Sequence, residues 1–185
     1  MDNGASSYRR FLNGDDNGIV EIIKDYKDGL MLYINSYVKN IHIAEDLMED
    51  TFVRLVTKKP RFSGKSSFKT WLYSIGRNIA LDYIRKNSKI SEISAEELSA
   101  VLSDEANFEK DYFKDEQKII LHKALNKINV KYSNVLYLIY FENFTIKETA
   151  SILKKTYKQT ENLIYRAKQS LKSQLETEGF VYEEL

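Results

Sequence analysis

The 185-residue chain contains no cysteine, a single proline and only seven glycines. Without cysteine it can form neither a disulfide nor a thiolate centre, which agrees with a reducing compartment, and we expect a cytoplasmic location. No apolar run approaches the roughly 20 residues that a membrane-spanning helix needs. The N-terminal segment MDNGASSYRR is not expected to be a signal peptide, because no apolar stretch follows its charges.

Residue patterns typical of enzymes are also missing. The two histidines, His42 and His122, are isolated, and each is expected to be a surface or partly buried residue. The sequence shows no cluster of metal ligands, no nucleophile–base spacing and no Gly-rich phosphate loop. We therefore expect no catalytic residue, no bound metal and no cofactor.

The net charge of +1 conceals a strong segregation along the chain. Residues 51–87 carry nine Lys or Arg and one acid, and residues 151–172 carry six and one. Between these two blocks, residues 88–118 carry nine acids against four bases. Two basic blocks indicate two contacts with a polyanion, although charge alone leaves open ordinary solvated helix faces.

Apolar residues at a spacing near 3.6 predict helices over residues 19–38, from about Ala44 to Lys58, and over residues 68–86. Pro60 is expected to end the second of these helices. Its inward residues are expected to be Leu47, Met48, Phe52, Leu55 and Val56, and its acidic outer face consists of Glu45, Asp46, Glu49 and Asp50. On the third helix the predicted apolar stripe is Phe68, Trp71, Leu72, Ile75, Ile79 and Tyr83, with cations and an amide on its other sides.

Helical periodicity fades in the acidic, Ser-rich segment 88–116, which predicts a flexible linker between two small helical domains. We expect an all-α fold with domains at residues 1–87 and 117–177, and an acidic tail at residues 178–185. Within the second domain, TIKE (145–148) and TYKQ (156–159) each have the form of a capping box. Two capped helices joined by three residues predict a helix-turn-helix over about residues 145–167.

Two stretches together resemble the bacterial sigma-70 family, in its extracytoplasmic-function (ECF) group. AEDLMEDTFVRL (44–55) followed by FSGKSSFKTWLYSIGRNIALDYIRK (62–86) is similar to the second region of that family. FTIKETASILKKTYKQTENLIYRAKQSL (144–171) is similar to the fourth. The resemblance implies a sigma factor that binds core RNA polymerase and promoter DNA, with a possible anti-sigma partner. The acidic face Glu45, Asp46, Glu49 and Asp50 would then dock core polymerase.

The resemblance also implies two DNA readers. The first domain would bind an opened −10 strand, which requires flat side chains, amides and cations. The candidates for that role are Arg61, Phe62, Lys65, Lys69, Arg77, Asn78, Arg85 and Lys86. Trp71 is expected in the core instead. The helix-turn-helix would read the −35 duplex through Lys154, Lys155, Tyr157, Lys158, Glu161, Asn162 and Arg166.

The turn of the helix-turn-helix departs from the family, which usually has glycine where this chain has Lys154. Either Lys154 adopts a left-handed conformation, or the turn differs. The alternative function is a helix-turn-helix regulator that acts without stable entry into RNA polymerase. Such a regulator would account for the second half of the chain but not for the first 87 residues.

Overall fold

A computed structural model describes residues 3–87 and 116–177. Within these ranges the backbone forms eight α-helices and no strand, which confirms the all-α fold class. The helices are α1 (Asn3–Leu12), α2 (Asn17–Val38), α3 (Ile41–Lys58), α4 (Phe68–Asn87), α5 (Glu116–Lys127), α6 (Val130–Tyr140), α7 (Ile146–Leu153) and α8 (Tyr157–Thr177). The predicted linker lies outside the described residues apart from Glu116, and the predicted tail lies wholly outside them. Helices α1–α4 are termed the N-terminal unit, and helices α5–α8 the C-terminal unit.

Helix α2 lies at the centre of the N-terminal unit, in contact with α1, α3 and α4. Its eight consecutive residues from Leu30 to Tyr37 are all buried. A helix that packs on one side only buries a stripe, so burial all round requires a neighbour on every side. The remaining side of α2 is covered by α6 of the C-terminal unit.

The buried side of α4 differs from the predicted stripe. Phe68, Leu72, Gly76 and Ala80 are buried at four-residue spacing, whereas Trp71, Ile75, Ile79 and Tyr83 are only partly buried. The shift arises because α4 packs closely on α2 at Gly76, where a Cβ would lie 2.8 Å from Leu30 Cδ1. Such small residues form the contact without contributing an apolar signal to the sequence.

Helix α3 begins at Ile41, three residues before the predicted Ala44, because the Asn40 side chain accepts a hydrogen bond from the backbone N–H of Ile43 (3.1 Å). It ends at Lys58, before Pro60 as predicted. The expectation that Val56 faces inward is wrong, since that residue is 41% exposed.

Both predicted capping boxes are present. Thr145 and Glu148 exchange hydrogen bonds at the start of α7, and Thr156 and Gln159 do so at the start of α8. Between the two helices, Lys154 adopts the left-handed conformation (φ 54°, ψ 47°) and donates its backbone N–H to the end of α7. The first of the two alternatives for this turn is therefore the observed one, and the chain forms it without glycine.

We predict that Lys154→Gly stabilises the protein by about 1 kcal/mol, because glycine adopts the left-handed conformation without the penalty that a Cβ imposes. Urea denaturation followed by circular dichroism measures the change. Lys155→Gly is the matched control, since Lys155 loses the same charge but has no left-handed backbone. A loss of stability in both variants would contradict the interpretation of the turn.

The two units also share an interface, in which α4 packs on α7 and α2 packs on α6. Ser36 Oγ lies 2.6 Å from Asn134 Oδ1, and Lys39 Nζ lies 3.1 Å from Asn126 Oδ1. The division into two domains at residues 88–116 stays a prediction.

Candidate nucleic-acid and polymerase interfaces

The acidic face of α3 is open to solvent. Glu45, Asp46, Glu49 and Asp50 are all exposed, while Leu47, Met48, Phe52 and Leu55 are buried beneath them. On the same outer side, Val53 is 55% exposed and Val56 is 41% exposed. The face is therefore acidic in its first half and apolar in its second. The sequence carries a signal for Val53, because a valine off the inward face has no core to join.

The loop between α3 and α4 is anchored to α1. The Tyr8 hydroxyl donates to the carbonyl of Pro60 (2.8 Å), and burial raises the pKa of Tyr8 to about 12. Lys59 and Gly64 both have positive φ, so the loop turns sharply at each of them. Arg61 and Lys65 point into solvent, as a phosphate-binding role requires.

Phe62 and Trp71 belong to one aromatic cluster beside this loop. Their ring centroids lie 5.2 Å apart, and Phe62 also meets Phe68 edge-on at 5.7 Å. Both residues are half-buried, so each presents one edge to solvent and packs the rest on the core. The expectation that Trp71 packs on the core is confirmed. Phe62 is available for base stacking only through its open side.

The structure divides the single-strand candidates of α4 between two sides of the helix. Arg85 and Lys86 are exposed and Asn78 is half-buried, on the outer side that continues from the loop. Arg85 pairs with Asp82 at 3.0 Å on the surface, where such pairs contribute little. Lys69 and Arg77 lie on another side, which faces the C-terminal unit.

Lys69 is held by Glu142, the second residue after α6. Its Nζ lies 2.8 Å from the carbonyl oxygen of Glu142 and 2.9 Å from the carboxylate. The Tyr73 hydroxyl donates to the same carboxylate, and Nζ also lies 4.8 Å from the ring centroid of Phe144. The cation expected to meet a phosphate therefore meets a carboxylate of its own chain.

Arg77 borders a buried group of hydroxyls. The hydroxyls of Tyr33 and Tyr37 lie 3.0 Å apart, and Tyr37 is bonded to both Arg77 and Asn134. Burial raises the pKa of Tyr37, although hydrogen bonds from Tyr33 and Arg77 and the charge of Arg77 act in the opposite direction. The Arg77 Nε is buried without a hydrogen-bond partner. This group joins α2, α4 and α6 through Tyr37, which is bonded to Arg77 within the N-terminal unit and to Asn134 of the C-terminal unit.

A further contact between the two units involves Glu148, the capping residue of α7. Its Oε1 accepts hydrogen bonds from Ser67 (3.2 Å) and Thr70 (3.3 Å) of the N-terminal unit. Burial raises the pKa of the carboxyl, but the hydrogen bonds from Thr145, Ser67 and Thr70 together hold it below its ordinary value. Glu148 therefore stays ionised while it caps α7 and bonds the other unit.

The residues expected on the outer side of α8 are mostly exposed. Tyr157, Lys158, Asn162 and Arg166 are exposed, as are Lys154 and Lys155 in the turn, while Glu161 is half-buried and lies 3.5 Å from Lys158 Nζ. Thr160 is fully buried, and its hydroxyl donates to the carbonyl of Thr156. One flanking residue of this surface, Lys131, was not predicted from the sequence. Tyr165 is 67% exposed beside the candidates, and Lys131 of α6 helps to line a cleft of about 500 Å³ with Lys155, Gln159, Asn162 and Arg166.

No helix among residues 3–87 and 116–177 is both long and apolar enough to cross a membrane. In the same ranges, no three His, Asp or Glu residues are grouped so that they could hold a metal ion.

Comparison with known proteins matches both halves of the chain to one family. The family model described as Sigma-70 region 2 matches residues 22–90, and that described as Sigma-70, region 4 matches residues 118–171. The sigma factor SigV of Bacillus subtilis is 26% identical over 160 residues, which are 86% of this chain and 92% of that protein. The ECF sigma factor SigM of the same organism is 27% identical over 155 residues, 84% and 93% of the two chains.

Two solved structures share the fold. CnrH, in complex with the cytosolic domain of CnrY, has a TM-score of 0.64 at 20% identity and covers 95% of this chain and 96% of its own. The sigma factor RpoE of Bartonella quintana, in complex with the anti-sigma factor NepR, has a TM-score of 0.63 at 20% identity and covers 84% and 95%.

A lone helix-turn-helix regulator does not account for the match of the first half to region 2, so that alternative is set aside. A sigma factor is a transcription initiation factor, not an enzyme, which agrees with the lack of enzyme-like patterns. The chain belongs to the sigma-70 family of RNA polymerase sigma factors, in the ECF group, and it directs RNA polymerase to promoters.

Proposed function

We propose that three surfaces of this sigma factor divide the work of initiation. The acidic face of α3 docks core RNA polymerase, and the exposed Val53 and Val56 extend that surface with an apolar contact. The loop 59–67 and α4 bind the opened −10 strand, while α8 reads the −35 duplex. Because polymerase and promoters lie in the cytoplasm, the protein acts there.

The observation that carries the proposal is the geometry of α7, α8 and the turn between them. Two reciprocal capping boxes and the left-handed Lys154 fix α8, so that Lys158, Asn162 and Arg166 project from its outer side. A duplex offers base edges to such a helix in its major groove and phosphates to the flanking cations. Lys154, Lys155 and Lys131 are placed for the phosphates.

In the N-terminal unit, the residues proposed to bind single-stranded DNA differ in chemistry from those of α8. Phe62 offers the open side of an aromatic ring, Asn78 offers an amide, and Arg61, Lys65, Arg85 and Lys86 supply exposed cations. Stacking, base-edge hydrogen bonds and phosphate contacts are the three interactions that hold unpaired DNA. Lys69 joins this set only when it is released from Glu142 of the C-terminal unit, whereas Arg77 is bonded to Tyr37 within its own unit.

We also propose an anti-sigma factor as a partner. The solved structure of RpoE contains an anti-sigma factor, and that of CnrH contains the cytosolic domain of CnrY. The similarity of fold supports the same class of partner for this chain.

The direct test adds the purified full-length chain to core RNA polymerase and sequences run-off transcripts from genomic DNA. We expect co-elution with core polymerase and transcripts that share sequences near −10 and −35. Failure to co-elute, or transcripts without shared upstream sequences, would contradict the proposed surfaces.

Arg85 and Lys86 provide a narrower prediction. Replacing both with alanine is expected to weaken single-strand −10 binding for every sequence alike, because phosphate contacts carry no base preference. The slope of log affinity against log salt should fall by roughly 0.7 for each phosphate that the protein no longer neutralises. The double variant Lys24→Ala/Lys27→Ala removes two exposed lysines of α2 and is the control. A change that depends on the base sequence would contradict the phosphate role.

A further inference from the structure

The contact between the two units has the character of a protein core. Tyr33 and Tyr73 of the N-terminal unit are fully buried, as is Tyr137 of the C-terminal unit. The ring centroid of Tyr33 lies 6.4 Å from that of Tyr137, and Tyr73 meets Phe144 edge-on at 5.0 Å. Aromatic contacts of this kind stabilise beyond the area that they bury.

Besides the contact of Lys39 with Asn126, polar groups close the same interface at three junctions. They are Lys69 and Tyr73 with Glu142, Ser67 and Thr70 with Glu148, and Ser36 and Tyr37 with Asn134. The Glu142 side chain is only 10% exposed, and it fills a notch in α2 at Gly29. A Cβ at Gly29 would lie 2.5 Å from Glu142 Oε1 and 2.6 Å from the Tyr73 hydroxyl, so the notch admits the carboxylate only because residue 29 is glycine.

This arrangement cannot bind a complete promoter. The −10 and −35 elements are named for their positions in base pairs before the transcription start, so they lie about 25 base pairs apart, roughly 85 Å along B-form DNA at 3.4 Å per pair. A compact chain of this length measures only about 40 Å across. Here the two readers touch, since Ser67 of the −10 loop bonds Glu148 of the helix-turn-helix at 3.2 Å. The 28 residues between α4 and α5 reach at most about 100 Å when extended, which suffices for separation.

We propose that the C-terminal unit is a built-in inhibitor of the −10 reader in the free chain, and that Glu142 is the residue that holds it closed. The Glu142 carboxylate stands where a phosphate would meet Lys69. One cation of the reader is thereby withdrawn from DNA. The inference rests on the proposed −10 role of Lys69.

Two other surfaces stay available in the closed form. Glu45, Asp46, Glu49 and Asp50 are exposed, and so are Lys158, Asn162 and Arg166 on α8. Core polymerase can therefore bind the closed chain, and a −35 duplex can bind it as well. The contact inhibits the −10 reader selectively.

Glu142→Gln and Gly29→Ala test the proposal in the full chain. The first removes the charge that holds Lys69, and the second fills the notch at residue 29 while favouring α2 as a helix. Glu176→Gln is the matched control, because it makes the same change at an exposed site on α8. Since the chain has no cysteine, Lys24→Cys and Gln169→Cys can carry a spin-label pair that reports the distance between the units.

We expect both variants to shift the label pair to longer distances and to bind a single-stranded −10 oligonucleotide about tenfold more tightly, as release of charge-assisted contacts implies. Their affinity for a −35 duplex and their helical content should match those of the wild type and of Glu176→Gln. The proposal is overturned if the label distance and the −10 affinity of both variants equal those of the wild type. If the labels separate without a gain in −10 affinity, the contact is not inhibitory. Failure of every form, open or closed, to bind the −10 oligonucleotide would instead overturn the assignment of the −10 reader.

Discussion

Reversing Asp46, Glu49 and Asp50 to lysine is expected to abolish co-elution with core RNA polymerase. The three carboxylates are exposed on one side of α3, so the change removes three negative charges and adds three positive ones on the proposed docking face. Juxtaposed like charges cost several kcal/mol at an interface, which corresponds to an affinity loss of more than about a hundredfold. Size-exclusion chromatography with core polymerase measures the loss.

The control for that variant carries the same change of charge elsewhere. Asp25, Asp28 and Glu176 are exposed on α2 and α8, away from the acidic face, and their reversal to lysine should leave co-elution intact. Circular dichroism should show unchanged helicity in both triple variants, because none of the six side chains is buried. Normal assembly of the α3 variant with core polymerase would refute the docking assignment.

Asn78→Ala and Asn162→Ala are expected to damage different DNA ligands. Asn162 is exposed on the outer side of α8, where the proposed −35 reader would contact duplex base edges, and loss of such a contact costs about 1–3 kcal/mol. Asn162→Ala or Glu161→Ala should therefore relax preference within the −35 element and leave single-strand −10 binding intact. Asn78→Ala should weaken binding to an unpaired −10 oligonucleotide, with little effect on an isolated −35 duplex.

Paired titrations of each variant, one with each DNA ligand, make the comparison. Gln169→Ala is a suitable control on α8, because that residue is exposed on the recognition helix but belongs to none of the three surfaces. Equal damage to both ligands by Asn78→Ala and Asn162→Ala would show that the two readers are not separate.

Several helix boundaries of this fold follow from local signals in the sequence. Thr145 and Glu148, like Thr156 and Gln159, mark helix starts by residue type and spacing alone, and Pro60 marks the end of α3. The outer side of α8 was predictable for the same reason, because helical spacing sets which residues share a side. The left-handed backbone at Lys154 was an open alternative, since lysine carries no preference for it.

The contact between the units was not predictable from such local signals. Gly29 and Gly76 allow close packing because they have no side chain. An argument from the spacing of apolar residues does not detect either of them. Glu142 carries no mark that it would meet Lys69, which lies 73 residues earlier in the chain. One indication was present: the run LMLYINSY at residues 30–37 is too uniformly apolar or weakly polar for a helix with a solvent side. One apolar stripe would cover the contacts of α2 within its own unit, and the additional apolar side of this run is the one that α6 covers.

The contact through Glu142 also sets how the protein responds to its own abundance. Two units tethered in one chain meet at an effective concentration near the millimolar range, which dilution does not change. Raising the expression of the chain adds inhibitor and target in equal measure, so the fraction of open molecules does not change. The active fraction instead follows the supply of core polymerase, which has to bind the open form more tightly than the closed one. A cell that makes more of this protein has more molecules that can bind core polymerase, and each of them stays mostly closed until polymerase binds it.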